Sequence, residues 1–308
     1  MAEPAPLPSG PGKAPSGLPF ALGAYTIWGF LPLYLILVSS VPAFEFVGWR
    51  IIWTLPLCLV IVALRGQFGE LRTALAKPRT VLALLASACL IGVNWFVYVW
   101  AIMTGEVYAA SIGYYLNPLI NVLLGTLFLG ERLTRWQWLA VGIALFAVAL
   151  LAAGAITSLW ISLTLACSFA FYGLVRKQVA VGSLPGLTIE SSILVLPSIA
   201  IAMWYAQSPQ GSSFGQDAMM SALIIFSGVL TAVPLLLFAI AARRMEYSTL
   251  GFIQYLAPTI VFLLGLIVFK QELRPVQLTS FVLIWAAVAI FVGDLWGRHR
   301  AAKKIAPA

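Results

Sequence analysis

Charge is scarce in this chain. Of 308 residues only 9% are Asp, Glu, Lys or Arg, and acids number ten, against about 25% charged residues in soluble domains. There is one histidine, His299, near the C-terminus. Metal ligation by histidine and a Ser-His pair inside the fold are therefore excluded. The three cysteines, Cys58, Cys89 and Cys167, lie far apart inside apolar runs, so neither a disulfide framework nor a zinc site is expected. No Walker phosphate loop or dinucleotide fingerprint occurs, which removes direct ATP-driven pumping by this chain. No membrane-embedded acid cluster suggests a lipid-modifying enzyme. The expected class is a non-enzyme without cofactor or metal.

Apolar sequence fills the space that charge leaves. Hydrophobic residues make up 62% of the chain, and a water-soluble fold of this length has no polar cover for that much surface. Segments long enough to cross about 30 Å of hydrocarbon recur at approximately 18–38, 44–64, 80–103, 107–129, 136–153, 155–175, 187–206, 219–242, 247–269 and 275–295. The sequence thus predicts an all-α membrane protein with ten transmembrane helices. Residues 1–17 are rich in Pro, Gly and Ala and read as a disordered tail. They do not read as a signal peptide, because the apolar segment that follows is of spanning length. Connections are short; the longest run from Arg65 to Arg79 and over Gln207–Ala218, where Pro, Gly and Ser mark a solvated loop. None holds an extramembrane catalytic domain.

The net charge of +8 is not accompanied by a basic stretch interleaved with aromatics, so nucleic acid is not an expected partner. The positive residues instead mark topology. With the N-terminus inside, Lys13, the 65–79 loop, Arg132, Arg135, Arg176, Lys177, Arg243, Arg244 and the basic 296–308 tail collect fifteen of the eighteen Lys and Arg on the cytoplasmic side. Lys270 and Arg274 fall opposite, and Arg50 falls within a span. Both termini are expected in the cytoplasm, with lipid and a small-molecule substrate as partners. Glu131-Arg132, Arg176-Lys177, Arg243-Arg244 and Asp294 read as boundary charges.

The chain also repeats itself. Tyr115-Leu116-Asn117-Pro118-Leu119-Ile120 and Leu123-Leu124-Gly125 align 140 residues on with Tyr255-Leu256-Ala257-Pro258-Thr259-Ile260 and Leu263-Leu264-Gly265, and seven of eleven positions are identical. Glu106 pairs with Glu246 at the same offset. Trp28-Gly29 echoes Tyr172-Gly173, and Glu45 echoes Glu190. A repeat of five spans, 18–153 and 155–295, must be inverted in the membrane, a hallmark of secondary transporters in which halves rock about a central cavity. A channel, or a non-transporting receptor or scaffold, is the alternative.

Ala24-Tyr25, Trp28-Gly29, Pro32, Arg50-x-x-Trp53, Gly92-x-Asn94-Trp95, Gly113-Tyr114-x-x-Asn117-Pro118 and Leu129-Gly130-Glu131-Arg132 together resemble the RarD family. So do the stretches Phe169–Lys177 and Ser248–Thr259. This family belongs to the EamA group of the drug/metabolite transporter superfamily. The resemblance covers nearly the whole chain after the tail. It implies a bacterial inner-membrane permease of ten helices in two EamA-like repeats. Lys270-Gln271-Glu272 stands where a Gly-Glu pair is common.

Polar residues within spans are the candidate site. Arg50 lies about 10 Å into the second span, where arginine is expensive and faces a cavity or a carboxylate. It is expected to draw in an anionic or carboxylate-bearing substrate. Glu45 is its nearest acid, but five residues place the two about 140° apart on a helix. Asn94 with Tyr98, and Asn117 with Asn121, share helix faces at four-residue spacing. Both pairs, together with Tyr114, Tyr115, Gln254 and Tyr255, are pathway candidates; the amides serve equally well as interhelical hydrogen bonds. Pro118 and Pro258 can kink or break helices as gates. Gly125 and Gly265 allow close helix approach. Glu45 and Glu190 are possible coupling carboxylates, with Glu190 expected in the headgroup zone.

Overall fold

The computed structural model describes residues 16–153, 156–268, 270 and 274–305. The tail expected over 1–17 thus lies almost wholly outside the described residues. So do Lys13, the Gln271-Glu272 pair, and the side chains of His299 and the last basic residues. Twelve α-helices form among the described residues: α1 (Leu18–Leu37), α2 (Ala43–Leu64), α3 (Phe68–Leu75), α4 (Pro78–Met103), α5 (Val107–Leu129), α6 (Arg135–Ala152), α7 (Leu159–Gln178), α8 (Ser183–Ala206), α9 (Ala218–Arg244), α10 (Tyr247–Gln254), α11 (Leu256–Ile267) and α12 (Pro275–Ile305). Ten of the spans they make are long and apolar enough to cross a membrane. Their outer faces carry large apolar side chains open to the surroundings, among them Leu64, Leu196, Trp204 and Ile267. Lipid is the solvent those faces suit.

Three elements differ from the sequence reading. The Arg65–Arg79 connection contains the short helix α3, which packs on α4 and α8. The ninth span is not one helix: α10 and α11 meet at Tyr255, three residues before Pro258. Proline has no N–H for the Gln254 carbonyl and its ring crowds that turn. A tighter hydrogen bond from Tyr255 N to Phe252 O (3.3 Å) marks the break. Pro118 occupies the matching place in α5, yet α5 continues through it. The last helix also runs on as far as Ile305.

The repeat is visible in the register of the helices. α2 and α8 begin at Ala43 and Ser183, α4 and α9 at Pro78 and Ala218, α5 and α10 at Val107 and Tyr247, α6 and α12 at Arg135 and Pro275. Each pair is separated by the same 140 residues. Packing follows the same relation. α1 lies on α9 and α11, as α7 lies on α4 and α5, while α2 with α8, α5 with α10 and α6 with α12 pack across the middle. Even the joints correspond. Gly130 ends α5 in a left-handed conformation (φ 66°), and Lys270, 140 residues on, adopts φ 49°. Thr134 closes a full capping box with Gln137 (3.2 and 2.9 Å). At the equivalent joint Arg274 N still donates to Gln277 Oε1 (3.3 Å), but no side chain returns the bond.

Candidate functional site

Call the side of the bundle where α1 begins the near side and the opposite the far side. Arg50, the eighth residue of α2, sits about 10 Å below the far side at 1.5 Å per residue. Its Nε donates to Thr231 Oγ1 on α9 (2.9 Å). Its guanidinium lies over the Trp95 ring of α4, 5.1 Å from the centroid, a favourable arrangement where water is scarce. Tyr34 of α1, Tyr98 of α4 and Tyr114 of α5 stand within electrostatic reach. The Tyr98 and Tyr114 rings meet edge to face at 5.9 Å. Tyr114 keeps 40% of its surface accessible, and Arg50, Trp95 and Tyr98 are only partly buried. Five helices thus surround one cation with aromatic walls, and no carboxylate among the described residues pairs with it.

Glu45 does not serve that role. It is fully buried and accepts hydrogen bonds from Trp49 Nε1 (3.2 Å), Ser212 Oγ (2.6 Å), Ser213 N (2.7 Å) and Ser213 Oγ (2.8 Å). Phe214 then stacks on Trp49 at 4.5 Å. The carboxylate therefore pins the Gln207–Asp217 loop over the far end of α2. Four donors on one acid leave it acting as a loop anchor.

The other candidates separate into two groups. Tyr98 and Tyr114 join Arg50. Asn94, Asn117 and Asn121 instead spend their amide protons between helices: Asn94 Nδ2 on Leu165 O (2.9 Å) and Ser168 Oγ (3.0 Å), Asn117 Nδ2 on Ala166 O (3.0 Å), Asn121 Nδ2 on Gln254 Oε1 (2.9 Å). Gln254 also faces the Tyr25 hydroxyl (3.5 Å), so α1, α5 and α10 meet at one amide. Tyr255 donates to the Tyr115 carbonyl (3.3 Å), joining the equivalent tyrosines of the two halves. Gly251 makes this crossing possible, since a Cβ there would lie 2.8 Å from Pro118 O.

Several charges placed at boundaries by sequence are engaged within the fold, and two of them are buried. Glu190 is 2% exposed and Arg176 1%, not in a headgroup zone. Arg176 Nη1 lies 3.6 Å from Glu190 Oε1, Arg176 Nη2 donates to Ser183 O (2.8 Å), and Ser87 Oγ donates to Glu190 Oε1. Sequence distance hid this: Arg176 and Glu190 stand on consecutive helices, and only the α7–α8 turn brings them together. Lys177 caps the carbonyls of Ala242 (2.9 Å) and Met245 (2.5 Å), and Arg243 donates to Val181 O. Glu131 caps α10, accepting from Tyr247 N (2.5 Å), Ser248 N (2.8 Å) and Ser248 Oγ (2.6 Å). A carboxylate at a helix N-terminus satisfies orphan N–H groups and the helix dipole. The Leu129-Gly130-Glu131 motif could have signalled this, because a left-handed Gly turns the chain so that the next side chain aims at a neighbour.

The common 140-residue register matches Glu190 with Arg50, not with Glu45 as the sequence echo suggested. Glu190 is the eighth residue of α8 and therefore about 10 Å below the near side. The two charges also make matching links, Arg50 to α9 through Thr231 and Glu190 to α4 through Ser87.

This architecture has relatives. Residues 15–153 match the EamA-like transporter family. Protein RarD of Escherichia coli K12 is 41% identical over 296 residues, which cover 93% of this chain and 97% of that protein. The chain belongs to the RarD family of EamA-like transporters. An uncharacterized transporter of Vibrio cholerae is 38% identical over 91% of this chain and 93% of its own length. The chloramphenicol-sensitive protein RarD of Pseudomonas aeruginosa is 28% identical over 89% and 92%. One solved crystal structure shares the fold, with a TM-score of 0.71 at 19% identity over 90% of this chain and 98% of that one. The chain is thus a multi-pass membrane protein of a transporter family within the drug/metabolite transporter superfamily.

Proposed function

We propose that the chain is a bacterial inner-membrane secondary transporter, not an enzyme, moving a small carboxylate-bearing molecule by alternating access between two inverted halves. Both termini lie in the cytoplasm on this reading, following the distribution of Lys and Arg. The observation that carries it is Arg50: a guanidinium within a span, held by one threonine and one indole, without an acid partner and beside accessible aromatic surface. Arginine offers a planar fork of donors that suits a carboxylate. Tyr98, Tyr114 and Trp95 supply flat walls for an apolar body. The five-helix repeat gives the two equivalent packings that alternating access needs, and the Tyr255 break with Pro258 gives α10 and α11 a place to bend.

Flux in proteoliposomes over a panel of carboxylate-bearing metabolites and small drugs tests this. Saturable uptake with counterflow of one compound, reduced in Arg50→Gln by about 10- to 100-fold as expected for losing a charged hydrogen bond, supports a carrier with its site at Arg50. Unsaturable flux marks a channel. No flux from folded protein marks a receptor or scaffold, and undiminished transport by Arg50→Gln removes the site.

A further inference from the structure

Glu190 has features that packing does not explain. Its Oε1 is engaged by Ser87 and Arg176, while Oε2 is buried and has no hydrogen-bond partner among the described residues. The Tyr172 hydroxyl faces the same carboxylate, Arg176 Nη1 makes only the ion pair with it, and Arg176 Nε is buried without a hydrogen bond among the described residues. Glu190 borders a narrow cavity that it shares with Tyr172, Ser191, Thr54 and Trp95. The space left for a water's centre is about 10 Å³, room for a single water. Trp95 is the same indole that carries the Arg50 guanidinium on its face. One residue therefore touches both Arg50 and the cavity of Glu190.

We propose that Glu190 is the site at which this protein takes up and releases a coupling proton, and that Trp95 connects it to Arg50. The proposal rests on the transporter reading above. A proton arriving from the aqueous side is relayed through a water in the cavity: the water takes it up as one of its own O–H bonds breaks and the new O–H bond forms on Oε2, so the water is left neutral. Arg176 keeps its charge and its bond to Ser183 O, and loses its ionic partner. The contact that ties α7 to α8 is thereby weakened at one place. Release reverses each step. The groups facing Glu190 are Arg176 and Tyr172 from α7, Ser87 from α4 and Cys58 from α2. Arg243 of α9 lies beyond Arg176, with Glu70 of α3 beside it. Glu190 is the carboxylate in this group that adjoins the cavity.

Charge conservation gives the coupling its sense. Arg50, Arg176 and Glu190 sum to one positive charge in the span region. Binding of a carboxylate and a proton together preserves that sum, so the loaded and empty carriers meet the bilayer with the same buried charge.

The test is infrared difference spectroscopy on the purified full-length protein, titrated from alkaline to acidic buffer, which needs no substrate. The carbonyl stretch of a protonated carboxylic acid is expected on acidification, lost in Glu190→Gln and kept in Glu45→Gln. Ser87→Ala, which retains the acid, shifts the pH at which the band grows in, and keeps the test decisive where Glu190→Gln does not fold. A band that survives in Glu190→Gln, or that is unmoved in Ser87→Ala, overturns the proposal. Once the panel has identified a transported carboxylate, Glu190→Gln should retain exchange and lose accumulation driven by an imposed proton gradient; retained accumulation also overturns it. A wild type without flux but with the Glu190 band sinks the transporter reading and leaves the titrating site standing.

Discussion

Arg50 and Glu190 occupy the same place in the two halves of the molecule and are held in opposite ways. Each is the eighth residue of a helix, the two helices starting 140 residues apart, and each reaches across to a hydroxyl of a third helix. The cation faces partly accessible aromatic rings and has no ionic partner among the described residues. The anion is sealed, with a buried arginine beside it. A duplicated backbone thus gives two equivalent sockets, and the side chains placed in them decide which is open to a ligand. The same holds at the joints: Gly130 and Lys270 share a left-handed turn, but only glycine adopts it without Cβ strain.

The comparison can be broken most severely at the sealed socket. Arg176→Ala should destabilise by about 3–5 kcal/mol, because it leaves a buried carboxylate uncompensated. Thermal unfolding in detergent would show it. The double change Arg176→Met with Glu190→Leu should recover most of that loss, since an apolar pair of similar volume replaces a buried ion pair at little cost. Failure of the double variant to recover would mean the pair is held by more than its mutual attraction.

At the open socket the outcome is reversed. Arg50→Gln should lose transport by the factor given above and yet unfold at nearly the wild-type temperature, because no buried acid depends on it. A large drop in unfolding temperature would show Arg50 to be structural, as Arg176 is.

Smaller effects sharpen the comparison at the helix joints. Thr134→Ala removes one half of the capping box of α6 and should cost about 1 kcal/mol. Arg274→Thr, placed at the same position before α12, should give back a similar amount by completing the second box with Gln277. Equal and opposite shifts in unfolding temperature are the expected result, and a shift at only one joint would show that the two caps are not equivalent. Smallest is Lys270→Gly, which should stabilise by a few tenths to about 1 kcal/mol by relieving the left-handed turn.

Much of the bundle was legible in the chain. Apolar length alone located ten spans, since each must satisfy its own backbone in lipid, and the Tyr115 and Tyr255 motifs revealed the repeat. The Arg50 site was legible in part. A guanidinium within a span announces itself, and Tyr98 and Tyr114 do join it. Asn94, Asn117 and Asn121 look the same as pathway residues in sequence, because an amide presented to a cavity and one spent on a neighbouring carbonyl have the same spacing. Glu190 and Arg176 were read as boundary charges for a similar reason: depth along a helix is written in the sequence, but the identity of the facing helix is not.

The sequence by itself determined the solvent, the number of spans and the internal repeat, because hydropathy and repetition are properties of the chain read in order. Only the tertiary structure decided which charges pair, that α10 and α11 break where α5 does not, and that Glu131 caps a helix from the other half. Some of those outcomes rest on contacts between residues more than 100 positions apart, as Glu131 to Tyr247 and Ser87 to Glu190 are, and the Arg176–Glu190 pair needs the α7–α8 turn to form. Local pattern carries no record of such contacts until close packing brings the two helices together.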